Sequence, residues 1–358
     1  MLFPFIHESS PDKPAIVYRG IVITYRQLMD AVGSLADGLL ARGYRHGDKL
    51  LILLDNCPEI LYLYYACYHA GLVAVPVMGV TRPETIAGII EETRPRVLVT
   101  ESKYRAKIDH FHDKLDIYLT DASDPSAPHP PLSQLMGADL RTKAPESSLE
   151  QTMLLLYTTG STGMPKGVMH SAKALLLFAQ EFCPYHRCSP ADRMLVCLSL
   201  SHVFNLVIAF ALLYAGGTIY IEPNDSGAAV LFKNIVEHEI TLMATVPSMY
   251  RLLIDHVADK QPVNHDLRLC VVAGDIVPKP LHADFRAAFG LMLNEQLGGT
   301  EFVLATGNPM DDAQKRTGSA GKPFTHVQVQ IDRPDGEGRG EILVKSPYLL
   351  RRYYNEQL

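Results

Sequence analysis

The sequence has no excess of positive charge and no apolar run long enough to cross a membrane. Its 358 residues include 33 Lys and Arg against 39 Asp and Glu, a formal net charge of −6. Proteins that hold nucleic acid through its phosphates are usually basic, so we expect no nucleic-acid partner. The most apolar stretch, residues 206–215, is about half a membrane span, which predicts a buried helix and no transmembrane segment.

The sequence also lacks a secretory leader and a disulfide spacing. The opening MLFPFIHESSPDK has no basic start followed by an apolar run, which argues against a signal peptide. The six cysteines follow no disulfide pattern, so we expect reduced thiols in a cytoplasmic protein. Cys183, His186, Cys188 and Cys197 could be imagined as zinc ligands, but their spacing matches no common zinc module.

What the sequence does contain is enough apolar material for a large core. Hydrophobic residues make up 47% of the chain and charged residues 20%, which excludes disorder over the whole chain. A chain of this length predicts two or more lobes.

The first third of the chain alternates between helix and strand patterns. Thr24 and Gln27 predict a capping box at the start of a helix, Asn56 is expected to cap a second helix, and TRPE at residues 81–84 predicts another capping box. Apolar runs such as KLLILL and LVAVPV predict strands that are buried on both faces. This order of elements predicts a parallel sheet covered by helices on both sides.

A proline-rich stretch at residues 121–148 predicts a connecting loop. After it, RMLVCLS, TIYIE, TLMATV and LRLCVVAG predict a second parallel sheet, and VQVQI and EILVKS predict antiparallel strands. The expected fold is therefore α/β, with two parallel-type sheets flanked by helices and a partial antiparallel β-barrel. We expect subdomains at residues 1–145, 146–315 and 316–358.

The strongest chemical signal is LLLYTTGSTGMPKGVMHS, in which an apolar strand leads into a loop of glycines and hydroxyls followed by a lysine. Glycines allow a close backbone approach, and consecutive N–H groups and hydroxyls can donate to phosphate oxygens. The lysine precedes Gly167 and Val168, so this is not a Walker loop. The predicted phosphate contacts are Thr158, Thr159, Gly160, Ser161, Thr162, Gly163 and Lys166.

The segment YTTGSTGMPKG closely resembles the phosphate-binding signature of the adenylate-forming (AMP-binding) superfamily, which includes acyl-CoA synthetases, peptide-synthetase adenylation domains and luciferases. The resemblance covers almost the whole chain, because GDKLLILLDNCPE, LGGTE, GSAGKP, GEILVKSP and RYYN follow in the family's order. It implies the large domain of an acyl-CoA synthetase, of the fatty-acid–CoA ligase branch. Such an enzyme joins a carboxylate to the α-phosphate of ATP, releases pyrophosphate and passes the acyl group to a thiol, often that of coenzyme A.

The resemblance also implies roles for individual residues. Lys166 would act on the phosphates, Thr300 would lie at the α-phosphate, Glu301 would bind Mg²⁺, and His202 would lie near the substrate carboxylate. The further implied contacts with the acid or adenine are Val203, Phe204, Gly274, Asp275, Leu297, Gly298 and Gly299. The alternatives are a helix start at Thr300-Glu301, a core histidine at His202 and a solvated turn at Asp275.

The segment LSLSHVFNLV lacks the aspartate with which the peptide-synthetase branch usually pairs an amino group, which favours an apolar carboxylic acid over an α-amino acid. Two departures from the family pattern also affect the prediction. Leu297 stands where the family usually has a tyrosine stacked on adenine, so aromatic stacking is lost. Arg352 stands where glycine is usual.

The resemblance implies a small lysine-bearing domain after the last residue of this chain. We therefore expect the chain to be the N-terminal part of a longer enzyme, poorly active by itself, with a natural truncated protein as the alternative. The acceptor could also be a carrier protein rather than coenzyme A. A non-catalytic module that binds nucleotide or acyl groups is the remaining hypothesis.

Overall fold

The computed structural model describes residues 10–124, 129–137, 148–158, 165–259 and 263–355. The strands of this described part are β1 (Pro14–Tyr18), β2 (Ile21–Thr24), β3 (Lys49–Leu53), β4 (Val73–Pro76), β5 (Val97–Thr100), β6 (Asp116–Leu119), β7 (Thr152–Tyr157), β8 (Gly167–Ser171), β9 (Arg193–Val196), β10 (Thr218–Ile221), β11 (Leu242–Thr245), β12 (Leu269–Val272), β13 (Asn294–Glu295), β14 (Gly298–Gly299), β15 (Val303–Leu304), β16 (Thr306–Gly307), β17 (Lys322–Pro323), β18 (Gln328–Asp332), β19 (Glu341–Lys345) and β20 (Arg352–Tyr353). The α-helices are α1 (Tyr25–Ala41), α2 (Pro58–Ala70), α3 (Pro83–Thr93), α4 (Ala172–Tyr185), α5 (Val203–Tyr214), α6 (Ala228–Glu237), α7 (Pro247–Val257) and α8 (Lys279–Phe289). Short 3₁₀ turns lie at Ser102–Lys107, Asp109–Phe111, Leu132–Leu135 and Asp312–Gln314.

Two large sheets organise the molecule, which confirms the predicted α/β fold. The first, here called the loop sheet, has the order β20-β8-β7-β4-β3-β5-β6. The second, here called the pocket sheet, has the order β13-β12-β11-β9-β10-β1-β2. The central strands of both sheets are parallel, and β8, β20 and β2 add antiparallel edges. Apolar runs such as Leu50–Leu53 are fully buried, as strands covered on both faces require.

The two sheets do not follow one another along the chain. The hairpin β1–β2 pairs with β10 of the pocket sheet, although it precedes every strand of the loop sheet. Strands β7 and β8, which follow residue 145, pair with the loop sheet. Sheet membership therefore crosses the expected boundary at residues 145 and 146, and the division into subdomains stays a prediction.

The helix starts match the sequence signals in part. Thr24 and Gln27 form the predicted capping box at α1. The predicted cap at Asn56 is wrong, because α2 starts at Pro58 after Cys57 and has no side-chain cap. The predicted box at residues 81–84 is also wrong, since α3 starts at Pro83 without a side-chain cap. Proline at the first helical position has no N–H, so one of the donors that a cap would satisfy is missing there.

Helix α5 is the buried helix predicted at residues 206–215. Residues 203–213 of this helix are all buried, and it packs on β9, β10 and β11 on one side and on α4, β14 and β15 on others. Its amino end opens toward the carboxyl ends of the strands, where ligands bind in open α/β sheets. No helix in the described part of the chain is long and apolar enough to span a bilayer.

The expected antiparallel structure near the end of the chain is present as separate pairs. Strand β14 pairs with β15, β16 with β17, and β18 with β19. The β18–β19 hairpin is mostly exposed, whereas β15 and β16 are buried against the core. The β14–β15 pair carries Thr300 and Glu301 in its turn and packs against α5.

Candidate active site

The predicted phosphate loop connects β7 to β8 at the edge of the loop sheet. Five of its predicted residues lie outside the described part of the chain: Thr159, Gly160, Ser161, Thr162 and Gly163. The two ends of the loop are described. The Thr158 amide donates to the Lys166 carbonyl at 3.0 Å, and the Lys166 amide donates to the Thr158 hydroxyl at 3.3 Å. The loop therefore starts and ends at a fixed point of the sheet.

Tyr353 connects the lysine of this loop to the predicted metal ligand. The Lys166 Nζ atom lies 4.9 Å from the centroid of the Tyr353 ring, where the electron-rich face attracts a cation. The Tyr353 hydroxyl donates to Glu301 Oε1 at 3.0 Å. Because β20 pairs with β8, the tyrosine is held beside the loop. Lys166 and Glu301 thus face the same region although they are distant in sequence.

Thr300 and Glu301 lie in the turn between β14 and β15. The predicted alternative, a helix start, is therefore not what the chain forms. His170 on β8 binds this turn, since its Nε2–H donates to the Thr300 carbonyl at 2.6 Å. The His170 ring is fully buried. Burial lowers the pKa of His170, and the hydrogen bond to Thr300 and the charge of Glu301 oppose that shift.

His202 is the N-cap residue of α5 and faces the cleft. Its Nδ1 accepts a hydrogen bond from the Phe204 amide at 3.3 Å, so the neutral ring carries its proton on Nε2. Surrounding protein lowers the pKa of His202 by desolvation, which keeps the imidazole neutral near pH 7. The residue is solvent-accessible at the cleft, in contrast to the predicted alternative of a core histidine.

Two adjoining chambers form the cleft between the sheets. One has a volume of about 500 Å³, and the residues that line it include Thr158, Pro165 and Arg82. The other has a volume of about 400 Å³ and extends along α5. Both chambers are lined by the same four residues at their junction: Met78, His202, Val203 and Thr300. The cleft therefore places the end of the phosphate loop, Thr300 and His202 around one continuous space.

The chamber along α5 is almost entirely apolar. Its described lining contains no Asp, Glu, Lys or Arg, and its polar side chains are Ser199, His202 and Thr300. The remaining lining residues are Met78, Leu198, Val203, Phe204, Val207, Val246, Ala273, Gly274, Gly298, Gly299, Val303 and Leu304. The predicted pocket residues Val203, Phe204, Gly274 and Gly299 are thus brought together in one chamber.

Asp275 and Leu297 are placed less directly. Neither is among the described residues that line the two chambers. Asp275 is exposed, and its carboxylate accepts a hydrogen bond from the Ile276 amide at 2.7 Å, which is the geometry of the predicted solvated turn. Leu297 is half-buried, and its amide donates to the Thr306 hydroxyl at 3.2 Å. Nothing in the structure explains the arginine at position 352.

The turn that carries Thr300 also offers a carboxylate for a metal ion, that of Glu301, which is not itself among the described residues that line the two chambers. Glu301 is half-buried and uses Oε1 to accept the hydrogen bond from Tyr353. Mg²⁺ usually binds one or two carboxylates together with substrate phosphates and water, so a single carboxylate beside a phosphate loop fits this ion. Among the residues that the structure covers, no group of three or more His, Cys, Asp or Glu could hold a metal. The cluster of Cys183, His186, Cys188 and Cys197 is therefore not such a group. The Cys183 thiol donates to the Ala211 carbonyl at 3.0 Å.

Sequence reasoning missed several residues around the cleft. Tyr353 lies in the RYYN segment, which was noted only for its order in the chain, and Met78 lines both chambers without any motif. His170 follows the loop in GVMHS, and only the fold shows its bond to Thr300. For Asn56 the local sequence predicts only a helix cap. The local sequence gives no signal for these contacts, because each partner lies on a distant segment.

The sequence profile of a family described as "AMP-binding enzyme" matches residues 6–354. The indoleacetate–CoA ligase of Aromatoleum aromaticum is 30% identical over 97% of this chain and 69% of its own length. The 2-succinylbenzoate–CoA ligase of Bacillus subtilis is 27% identical over 97% of this chain and 69% of its own length. A benzoate CoA ligase from Burkholderia xenovorans superposes with a TM-score of 0.85 at 20% identity, covering 98% of this chain and 71% of that one. At that identity the last match supports the fold alone.

Proposed function

Because this chain belongs to the AMP-binding enzyme family, we propose that it activates an apolar carboxylic acid with ATP and transfers the acyl group to coenzyme A. In the first step, a carboxylate oxygen attacks the α-phosphorus of ATP and pyrophosphate leaves. In the second, the thiol sulfur attacks the acyl carbon and AMP leaves. Two observations carry the proposal, in a chain matched to this family. Thr300 and His202 line one cleft, and Tyr353 links Lys166 to Glu301, the residue after Thr300.

The polar side of the cleft suits the nucleotide. The loop from Thr158 to Lys166 would hold the β- and γ-phosphates with backbone amides, hydroxyls and one cation. The Thr300 hydroxyl, at the junction of the two chambers, would donate to the α-phosphate. Glu301 would hold Mg²⁺, which would supply positive charge to offset the charge on the phosphates. Tyr353 would keep Glu301 and Lys166 oriented toward the same phosphates.

The apolar side of the cleft suits the acid. The chamber along α5 has a volume of about 400 Å³, within the range of about 300–1,000 Å³ typical of small-molecule sites. A neutral His202 presents its Nε2–H as a hydrogen-bond donor for the substrate carboxylate. The amino end of α5 adds a favourable partial positive charge at the same place. An acid with an ammonium group would have to bury that charge in this chamber without a carboxylate to pair it.

The proposal is tested by calorimetric titration of this chain with Mg·ATP, followed by ATP–pyrophosphate exchange of the full-length product of its gene with a panel of acids. The panel contains octanoate, benzoate, phenylacetate, indole-3-acetate and the amino acids leucine and phenylalanine. We expect saturable ATP binding and exchange with at least one of the four non-amino acids. Exchange with leucine or phenylalanine alone would contradict the substrate class, and no ATP binding would contradict the nucleotide site.

The acceptor is tested separately with the acid that gives the fastest exchange. Coenzyme A and a phosphopantetheine-loaded carrier protein are supplied in parallel reactions, and the thioesters are separated by chromatography. We expect acyl-coenzyme A. Thioester on the carrier protein alone would favour the alternative acceptor.

The contacts of Tyr353 give a prediction with two matched variants. Tyr353→Phe keeps the ring below Lys166 and removes the hydrogen bond to Glu301, whereas Tyr353→Leu removes both contacts. Hydrogen bonds to charged groups are worth about 1.5–3 kcal/mol, so we expect about a tenfold loss of pyrophosphate exchange for the phenylalanine variant. The leucine variant should also raise the KM for ATP, because Lys166 loses the aromatic surface that orients it.

The neighbouring Tyr354 provides the control for this comparison. Its ring lies near Lys49 Nζ, at 5.6 Å. Tyr354→Phe keeps that half-buried ring in place, so the rate of pyrophosphate exchange should change by less than about twofold. Equal rates for the Tyr353→Phe and Tyr354→Phe variants would show that the hydroxyl of Tyr353 does not support the site.

A further inference from the structure

Asn56 lies at the junction of the two sheets, where it is almost completely buried, with 1% of its surface exposed. Asn56 follows β3 of the loop sheet, yet its side-chain hydrogen bonds are made with residues that follow strands β9 and β10 of the pocket sheet. Its Nδ2 donates to the carbonyls of Leu198 at 3.0 Å and Glu222 at 3.1 Å, and its Oδ1 accepts from the Leu200 amide at 2.8 Å. The side-chain amide thus joins the ends of β9 and β10 to the end of β3.

Tyr64 on α2 binds the same segment from a second direction. Its hydroxyl donates to the Leu200 carbonyl at 2.9 Å, and its ring is fully buried against Phe210. Both backbone polar groups of Leu200 are therefore occupied by side chains that belong to the loop-sheet side of the molecule. We call Asn56 and Tyr64 together the Leu200 clamp.

The clamped segment forms one wall of the apolar chamber. Leu198 and Ser199 line that chamber, and His202, two residues after Leu200, lies at the junction of both chambers. The backbone of Leu200 is thus held from the sheet that carries the phosphate loop. A segment fixed at this point keeps His202 at a constant position relative to Thr158 and Lys166.

We propose that Asn56 and Tyr64 are positioning residues that set where the substrate carboxylate lies relative to the phosphates. The inference rests on the proposed function, since it assigns the apolar chamber to the acid. A reaction between two bound groups depends steeply on their relative position, and a displacement of about 1 Å can cost about 100-fold. The clamp fixes that position because it joins the acid-binding wall directly to the loop sheet.

A matched pair of tyrosine variants separates positioning from general stability. Tyr64→Phe and Tyr44→Phe each remove one hydroxyl from a buried tyrosine. Tyr64 bonds to Leu200 at the cleft, whereas Tyr44 bonds to Asp116, at the start of β6 and thus at the opposite edge of the loop sheet. Asn56→Ala removes all three bonds of the amide, and Asn56→Asp keeps an acceptor for Leu200 but cannot donate to the two carbonyls when it is ionised.

The first readout is hydrogen exchange followed by mass spectrometry, which does not depend on activity. We expect the peptide that covers residues 197–207 to exchange at least about tenfold faster in Asn56→Ala, because the Leu200 amide loses its acceptor. The Tyr44→Phe variant should leave this peptide unchanged. Unchanged exchange in Asn56→Ala would overturn the clamp itself.

The second readout is kcat and the KM for each substrate in pyrophosphate exchange, using whichever acid of the panel is most active. We expect Asn56→Ala to lower kcat about tenfold and Tyr64→Phe about threefold, because the bound carboxylate is displaced from the phosphates, with the KM for ATP within about twofold. Faster hydrogen exchange in Asn56→Ala without any change in kcat or in the KM for the acid would overturn the positioning role. Failure of the proposed function would look different, since the wild-type full-length product of the gene would then give no pyrophosphate exchange with any acid.

Discussion

Replacing Glu301 by glutamine is expected to lower the rate of ATP–pyrophosphate exchange by about 100-fold or more. The substitution keeps the shape of the side chain and an oxygen that can accept the Tyr353 hydroxyl. It removes the negative charge that we assign to Mg²⁺. Groups that stabilise charge in a transition state are commonly worth about 10²–10³ in rate, and each factor of ten corresponds to about 1.4 kcal/mol. The loss should therefore reflect charge rather than fold.

The dependence on magnesium separates this explanation from a general loss of activity. We expect the Glu301→Gln variant to need at least about tenfold more Mg²⁺ for half-maximal exchange, because a neutral amide is a poorer ligand for a hard cation. Thermal melting should show a folded protein, since the turn remains bound by His170 at the Thr300 carbonyl.

Glu295 offers a control on the same segment. Its carboxylate accepts from His282 Nε2 of α8 at 3.1 Å, whereas the carboxylate of Glu301 accepts from Tyr353 beside the phosphate loop. Glu295→Gln makes the same change of charge and should leave the magnesium requirement unaltered. If Glu301→Gln kept at least a third of the wild-type rate at low Mg²⁺, Glu301 would not be the metal ligand.

Some signals that are local in sequence predicted local structure correctly, although the caps expected at Asn56 and at residues 81–84 did not form. The capping box at Thr24 and Gln27 needs only four consecutive residues, and both of its hydrogen bonds form. The apolar runs became strands because a strand buried on both faces must be apolar at every position. The same reasoning located helix α5, whose central residues are buried on all sides.

Contacts between distant segments could not be predicted in this way. An asparagine just before Pro58 suits a helix cap. In the structure, however, Asn56 is buried at the junction of the two sheets, where its side chain bonds to Leu198, Leu200 and Glu222. The pairing of β1 with β10 likewise depends on how the two sheets pack. The sequence of one strand does not specify its partner when that partner lies far away along the chain, as β10 does from β1.

The candidate site shows the same division. The loop after β7 and the pair Thr300-Glu301 were found because each is a short continuous motif that resembles a known family. Their connection through Tyr353 and His170 required the antiparallel pairing of β8 with β20 and the hairpin of β14 with β15. The motifs therefore carry the proposed chemistry, and the packing of β8 against its partners explains how they meet.

Gly321→Ala is expected to destabilise the protein by about 3 kcal/mol or more, combining the cost of a left-handed conformation with that of a steric clash. Gly321 has a φ angle of +84°, and a Cβ atom there would lie 2.1 Å from the carbonyl carbon and oxygen of Gly307 and 2.4 Å from the Asn308 nitrogen. These are backbone atoms of a buried segment, so they cannot move away as a flexible side chain could. The free energy of unfolding in urea measures the effect.

The site should be affected together with stability. The turn that contains Gly321 accepts hydrogen bonds from the Thr306 hydroxyl at Ala320 and from Asn308 Nδ2 at Ser319. The Thr306 hydroxyl in turn accepts from the Leu297 amide, one residue before β14. Forcing the turn away from Gly307 should therefore loosen the segment that presents Thr300, and we expect at least a fivefold weaker affinity for Mg·ATP in calorimetry at a temperature where the variant remains folded.

Gly290 isolates the contribution of the clash. It also has a positive φ angle, +70°, at the end of α8, but a Cβ atom there would meet nothing within 4 Å. Gly290→Ala should lower the free energy of unfolding by only about 1 kcal/mol, which is the cost of placing alanine in a left-handed conformation. The affinity for Mg·ATP should not change. The difference between the two variants then measures how tightly the Gly321 turn packs on Gly307. Equal losses of stability would mean that this close packing is not maintained in solution, and the proposed support of Thr300 through Leu297 and Thr306 would fail with it.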